Sequence, residues 1–274
     1  MMKFNASACF ALAAALTLSV AGSMTAAQNL PDDLVQLDVL DGGTTRNGTV
    51  MGALRVTLSD GWKTYWRTPG DAGIPPQFSW KGSQNVADVK ITWPAPEVFL
   101  TSGYRTLGYH DQMVLPVEIT PKSQGKPVRL QGRMGIGICR EVCVPSELSF
   151  DHTLDSSAKR NPAIVAALAS RPFSAREGGV TAATCSLAPT QYGMKVTARI
   201  TMPSAGGSEI AVIEPGSPYL QAGDTEARRE GRDLVAETEF FSVDDGLISI
   251  DRSAVRITVL GNSHAVDIQG CTTG

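Results

Sequence analysis

The chain has 274 residues and 42% hydrophobic content, enough to fill the cores of two domains of ordinary size. Its 24 Lys and Arg face 27 Asp and Glu, a formal net charge of −3. That balance excludes the basic footprint of a nucleic-acid binder and the polybasic patch of a membrane-surface protein.

Residues 1–27 read as a secretory signal peptide. Lys3 supplies the positive start, Ala8 to Val20 an apolar run, and Thr25-Ala26-Ala27 a small-residue cleavage site before Gln28. The run falls short of the roughly 20 residues of a membrane span, and no later stretch approaches that length. Cys9 is lost with this segment, leaving Cys139, Cys143, Cys185 and Cys271. Four cysteines in an exported chain fit two disulfides.

Leu34 to Leu40 and Thr49 to Leu58 alternate apolar and polar residues. Asp41-Gly42-Gly43 and Ser59-Asp60-Gly61 break them, giving strand, turn, strand, turn. An aromatic patch with Trp62, Tyr65 and Trp66 follows and runs into a Gly/Pro-rich loop at 69–76, which the prolines stiffen. Trp66 and Trp80 are expected in the core, whereas Trp62 and Tyr65 are undecided. Phe78 to Trp80, Val89 to Trp93 and Met113 to Ile119 read as further strands, and Pro94 and Pro96 keep 93–99 extended.

The stretch Gly137-Ile138-Cys139-Arg140-Glu141-Val142-Cys143-Val144-Pro145 lies between two runs of period-2 apolar residues, a pattern that predicts a β-hairpin. Cys139 and Cys143 then face each other near its tip, within disulfide reach. Many short strands with turn signals make an all-β sandwich that ends near Leu154. Asn161-Pro162 starts a short helix and Arg171-Pro172 stops it. From Val180 the pattern is again β. Thr181 to Leu187, Lys195 to Met202, Glu209 to Glu214, Leu234 to Phe241 and Val255 to Leu260 are its strands. The expected division is 28–157 for the first domain, 158–174 for a helical linker and 175–274 for a second β-rich domain.

The two cysteine pairs differ in what they offer. On the chain-entropy estimate, closing a loop of about 87 residues between Cys185 and Cys271 is worth roughly 4–5 kcal/mol, but the loop of about five at Cys139–Cys143 only about 2. The long pair reads as a structural clasp. The short pair is a weak staple, which favours chemistry there. Arg140 favours a thiolate and Glu141 opposes it, so the residues leave the thiol pKa open. Competing readings of the short pair are a small structural disulfide, or a copper(I) site completed by Met113, Met134, His110 or His152. No Ser/His/acid arrangement, phosphate-binding glycine loop or metal-ligand cluster stands out, so no cofactor and no resident metal are expected.

A set of motifs in the first half carries a family resemblance. They are Gly61-Trp62-Lys63-Thr64-Tyr65-Trp66-Arg67-Thr68-Pro69-Gly70-Asp71, Trp93-Pro94-Ala95-Pro96, Gly108-Tyr109 with Val114-Leu115-Pro116-Val117, and Cys139 to Pro145 with Glu147. Over about residues 30–155 the chain resembles the periplasmic N-terminal domain of the thiol:disulfide interchange proteins DsbD and ScsB. The later half, with Glu214-Pro215-Gly216-Ser217-Pro218, resembles the companion β-domain of ScsB-like proteins less distinctly.

The resemblance implies an immunoglobulin-like sandwich with a reactive pair at Cys139 and Cys143, the latter attacking partner disulfides. It implies a cap loop within Glu97 to Tyr104, with Phe99 or Tyr104 as an aromatic shield, and Tyr65 beside the cysteines. The three-residue spacing of the cysteines is closer to the ScsB type than to DsbD. The chain ends without a membrane electron-transfer region or a thioredoxin-like domain. The expected protein is therefore a periplasmic thiol-disulfide oxidoreductase that does not span the membrane. Its partners would be a separate membrane thiol reductant and periplasmic thioredoxin-like or disulfide-bearing proteins. The rival expectation is a non-catalytic copper(I)-binding or adaptor module.

Overall fold

The computed structural model describes residues 34–274, apart from 102 and 245. The expected signal peptide, 1–27, lies outside the described residues. In chain order the first half forms β1 (Val35–Thr44), β2 (Val50–Leu58), β3 (Lys63–Gly70), β4 (Gln77–Ser79), β5 (Val86–Ile91), β6 (Glu97–Thr101), β7 (Tyr104–His110), β8 (Gln112–Pro121), β9 (Val128–Cys139) and β10 (Cys143–Leu154). Two sheets result, ordered β1-β2-β8-β5 and β10-β9-β3-β7-β6, with β4 added to β9. They close face to face over Leu54, Val56, Trp66, Leu115, Leu130 and Ile136, all buried. This is an all-β, immunoglobulin-like sandwich.

The alternating pattern in 34–58 continues further than the turn residues suggested. Asp41-Gly42-Gly43 is part of β1, where the register with β2 slips between Asp41 and Gly43, and Gly43 takes φ +74°. Glycines there serve a bulge in a strand rather than ending it. Trp66 is fully buried, as expected. Trp80 is only partly buried and stacks on Phe78 at 5.7 Å between ring centroids.

Helix α1 (Pro162–Ala169) begins where the Asn-Pro pair placed it. The Asn161 side chain accepts from the Ala163 N–H at 3.0 Å, and proline occupies the first turn. Ile164 and Ala167 are its buried positions, and the Ser170 carbonyl past its end accepts from Ala95 N–H at 2.8 Å.

The second half adds β11 (Phe173–Ser174), β12 (Ala182–Pro189), β13 (Met194–Thr201), β14 (Ile210–Glu214), β15 (Leu220–Ala222), β16 (Glu226–Glu230), β17 (Asp233–Ser242), β18 (Arg256–Leu260), β19 (Ala265–Gln269) and β20 (Thr272–Thr273). One sheet is ordered β11-β19-β18-β14; the other is β15-β17-β13-β12-β20, with β16 on β17. Their shared core holds Val196, Ile200, Ala211, Ile213, Phe240 and Val266.

The β14-containing sheet is apolar on both faces. Ala211 and Ile213 point into the second core, while Ile210 and Val212 pack against the first, which also takes in Leu260 and Ala265. Period 2 sends alternate residues of β14 to opposite sides. Ile210-Ala211-Val212-Ile213 is therefore a continuous apolar run because the strand is covered on both faces. Both halves lie in one compact unit.

Candidate functional site

The hairpin of β9 and β10 sets the cysteines. Its register pairs Cys143 with Cys139 and Val144 with Ile138, and runs on unbroken to Leu154 opposite Val128. The two cysteines form a disulfide with Cα atoms 4.1 Å apart. Cys139 is 1% exposed, whereas Cys143 lies open at the hairpin end beside Val142, itself 60% exposed. Cys139 is thus enclosed and Cys143 is an exposed residue.

On the other side of β9, strand β3 pairs Lys63 with Cys139 and Thr64 with Ile138. The Thr64 hydroxyl donates to the Gly137 carbonyl at 2.9 Å and pins the two strands together. Tyr65, only 2% exposed, brings its hydroxyl to 2.9 Å from Cys139 Sγ and 3.1 Å from Cys143 Sγ. A disulfide has no proton to give, so the phenol is the donor to these sulfurs. Burial pushes the Tyr65 phenol above its ordinary pKa, which keeps that proton in place at neutral pH.

A second layer covers this arrangement. A Cβ built on Gly73 would come within 2.8 Å of two Tyr65 ring carbons, and one on Gly137 within 2.7 Å of Ile74 Cβ. Glycine at each of these positions lets the 70–76 loop rest directly on Tyr65 and on β9. Prolines stiffen that loop, but its work is to cover Tyr65. At the hairpin tip, the Arg140 guanidinium stands 5.5 Å from the centre of the Trp62 ring.

The model of the family described as the N-terminal domain of the thiol:disulfide interchange protein DsbD matches residues 31–154. Residues 31–154 are a DsbD-type N-terminal domain. Among solved structures, the crystal structure of the N-terminal periplasmic domain of ScsB from Proteus mirabilis is similar, with a TM-score of 0.66 and 22% sequence identity. The likeness covers 89% of this chain and 96% of that one, and at this identity it bears on the fold. A comparison with curated proteins found no match.

Within the DsbD-type domain, the residues expected to shield the pair fall on an edge hairpin rather than in a loop. Glu97–Thr101 and Tyr104–His110 pair as strands, from Glu97 opposite Gly108 to Thr101 opposite Tyr104. Phe99 is partly buried: Lys63 Nζ sits 4.7 Å from its ring centre, and the His110 ring meets it edge-on at 6.4 Å. Lys63, which Phe99 meets, is the cross-strand neighbour of Cys139. Tyr104 is 57% exposed at the hairpin turn. Burial lowers the Lys63 pKa, and its ammonium donates to the Thr106 hydroxyl at 3.3 Å. His110 Nδ1 lies 2.8 Å from a Glu97 carboxylate oxygen.

Cys185 and Cys271 form the second disulfide, 86 residues apart in sequence, with Cys185 fully buried. It ties the last residues to β12, where the Gly274 N–H donates to the Cys185 carbonyl at 3.3 Å. Among the described residues no group of three or more His, Cys, Asp or Glu is arranged to hold a metal ion. Among the same residues, no helix is long and apolar enough to cross a membrane. The sequence reading missed the covering role of Gly73 and Ile74. Its only visible signal was the glycine between the two proline-containing ends of the loop.

Proposed function

We propose that the protein is a periplasmic thiol-disulfide interchange protein, delivered by a cleaved signal peptide and working through Cys139 and Cys143. The observation that carries this reading is the Tyr65 hydroxyl lying 2.9 and 3.1 Å from the sulfurs of a buried Cys139 and an exposed Cys143. A structural staple has no need of a buried donor aimed at its sulfurs. The match to the DsbD N-terminal domain over 31–154 supports the same chemistry.

In the reduced protein, the Cys143 thiolate attacks a partner disulfide sulfur, forming a mixed disulfide and expelling the partner's thiolate. The Cys139 thiolate then attacks Cys143 Sγ and releases the partner's second thiolate. Two electrons pass to the partner, and the Cys139–Cys143 bond forms. Restoration runs in reverse. A thiolate of the reductant attacks the exposed Cys143 Sγ, and Cys139 leaves as a thiolate. Tyr65 Oη, 2.9 Å from the buried Cys139 Sγ, donates a hydrogen bond to that developing charge. Shielding and this donor, rather than a helix N-terminus, govern reactivity. The partners are a membrane thiol reductant and exported thioredoxin-like or disulfide-bearing proteins.

The test is trapping in the native compartment. Cys139→Ala and Cys143→Ala are expressed separately, thiols are quenched in acid, and adducts are resolved on non-reducing gels and by mass spectrometry. A discrete mixed disulfide with Cys139→Ala and none with Cys143→Ala is expected. No adduct with either variant, together with a wild-type pair that always stays oxidised, would leave a structural staple.

A further inference from the structure

The β14 sheet reaches the redox site through one strand. Opposite β7, strand β3 runs regularly from Lys63 to Tyr65, paired with His110 to Gly108. Its next partner is Gly70, opposite Thr106. Five steps along β3 therefore match two along β7, and residues 66–69 bulge out of the ladder immediately after Tyr65. Bulges of this kind re-aim side chains beside functional sites. Here the bulge delivers Arg67 and Thr68 to Glu214 on β14. Arg67 Nε and Nη2 donate to the Glu214 carboxylate at 3.1 and 2.8 Å, and the Thr68 hydroxyl donates to it at 2.7 Å. Arg67 Nη2 also donates to the Thr258 hydroxyl at 2.9 Å, and its guanidinium lies 3.8 Å from the Trp66 ring centre.

The loop that covers Tyr65 starts where this bulge ends. Its entry is held a second time. The Asp71 N–H donates to the Arg105 carbonyl at 2.9 Å, the Arg105 N–H donates to the Asp71 carboxylate at 2.7 Å, and Arg105 Nη2 donates to the Thr225 carbonyl at 3.2 Å. The Glu214 contacts and the Arg105–Thr225 bond cross from the DsbD-type domain to the second half. Adhesion alone does not call for them, since Ile210, Val212, Leu260 and Ala265 already join the two cores. A largely buried ion pair is weak evidence for stability, because desolvation offsets its attraction; what it supplies is a defined geometry.

We infer that the second half is a working part of the redox site, with Glu214 a positioning residue that locks the 66–69 bulge and so holds the 70–76 loop over Tyr65 and the enclosed Cys139. This rests on the redox reading above and gives the second half a role in it. Coupling of this kind between separate elements is established by measurement rather than by adjacency.

The experiment follows alkylation of the Cys139 peptide by iodoacetamide, read by mass spectrometry, in full-length protein carrying Cys143→Ser so that Cys139 is a free thiol. Adding Glu214→Gln should raise the Cys139 rate about tenfold, the usual size of a coupling between sites. Thr68→Val, which removes one hydrogen bond, should raise it less. Arg229→Ala breaks the Arg229–Glu209 pair inside the second half and serves as the control for a general loss of stability. It should leave the rate unchanged. A Glu214→Gln rate equal to that of its parent, or an equal rise with Arg229→Ala, would overturn the inference. If Glu214→Gln does not fold, an unchanged rate in Thr68→Val overturns it. Reduction of folded wild-type protein by dithiothreitol is scored in parallel. A pair that resists reduction there sinks the redox reading, while the alkylation rates still judge the clamp.

Discussion

Replacing Tyr65 by phenylalanine removes one oxygen and keeps the ring that the 70–76 loop rests on. The two sulfurs, at 2.9 and 3.1 Å, then lose their donor. Nothing else is left unpaired, because a disulfide sulfur is a weak acceptor that tolerates an apolar neighbour. Folding should therefore be almost unaffected. The cost falls where charge develops, on Cys139 as it leaves during reduction. A hydrogen bond to a charged group contributes about 1.5–3 kcal/mol, which slows the step roughly 10- to 100-fold. The assay is the rate of reduction of Cys139–Cys143 by dithiothreitol in folded protein, scored by mass spectrometry of quenched samples. Because burial raises the phenol above its ordinary pKa of 10.0, the difference between wild type and Tyr65→Phe should persist across the neutral range. It should close only once the pH passes that raised value and the phenol ionises. An unchanged rate at neutral pH, with the thermal midpoint also unchanged, would refute the assignment of the hydroxyl as donor.

Three further outcomes are expected. Replacing both Cys185 and Cys271 by alanine should cost roughly 4–5 kcal/mol, against about 2 for the short pair, so the urea midpoint should drop more for the long one. Gly137→Ala places a methyl group within 2.7 Å of Ile74 Cβ, which should cost about 1–3 kcal/mol as overpacking and, in the Cys143→Ser background where Cys139 is a free thiol, lift the loop enough to speed Cys139 alkylation. Glu177 accepts from Arg171 and from the Ser174 backbone and hydroxyl, and these bonds hold its carboxyl well below the usual glutamate pKa of 4.5. A depressed carboxyl contributes stability that is complete above its unfolded pKa and lost as pH falls through its folded one. The gap in urea midpoint between wild type and Glu177→Gln should therefore be open at pH 6 and shrink on strong acidification; a constant gap would contradict the assignment.

Much of this protein was legible in local pattern. Period-2 runs marked β2, β8, β9, β10, β13 and β17, and the Asn161-Pro162 pair marked the helix start, because side-chain alternation and capping act between residues a few positions apart. The hairpin at Cys139 and Cys143 was readable for the same reason: apolar alternation sets its register, and the register makes the two cysteines cross-strand partners. Other elements escaped. Glu226–Glu230 is an edge strand of alternating partly buried and exposed residues, and its charges conceal it. The residues Asp41-Gly42-Gly43 carry turn chemistry but sit in a bulged strand. The segment Glu97 to Tyr104, expected to be a loop, is paired in register as a hairpin.

The amino-acid sequence by itself determined an all-β chain with a cysteine hairpin and a long-range cysteine clasp, since each follows from neighbouring residues or from loop length. Only the tertiary structure decided which sulfur is enclosed, which hydroxyl reaches both, and what lies over them. Tyr65 is 74 residues from Cys139 and Arg67 is 147 from Glu214. Contacts across such separations depend on how β3 bulges and on which face of β14 meets the first core, and no periodicity in the sequence encodes either.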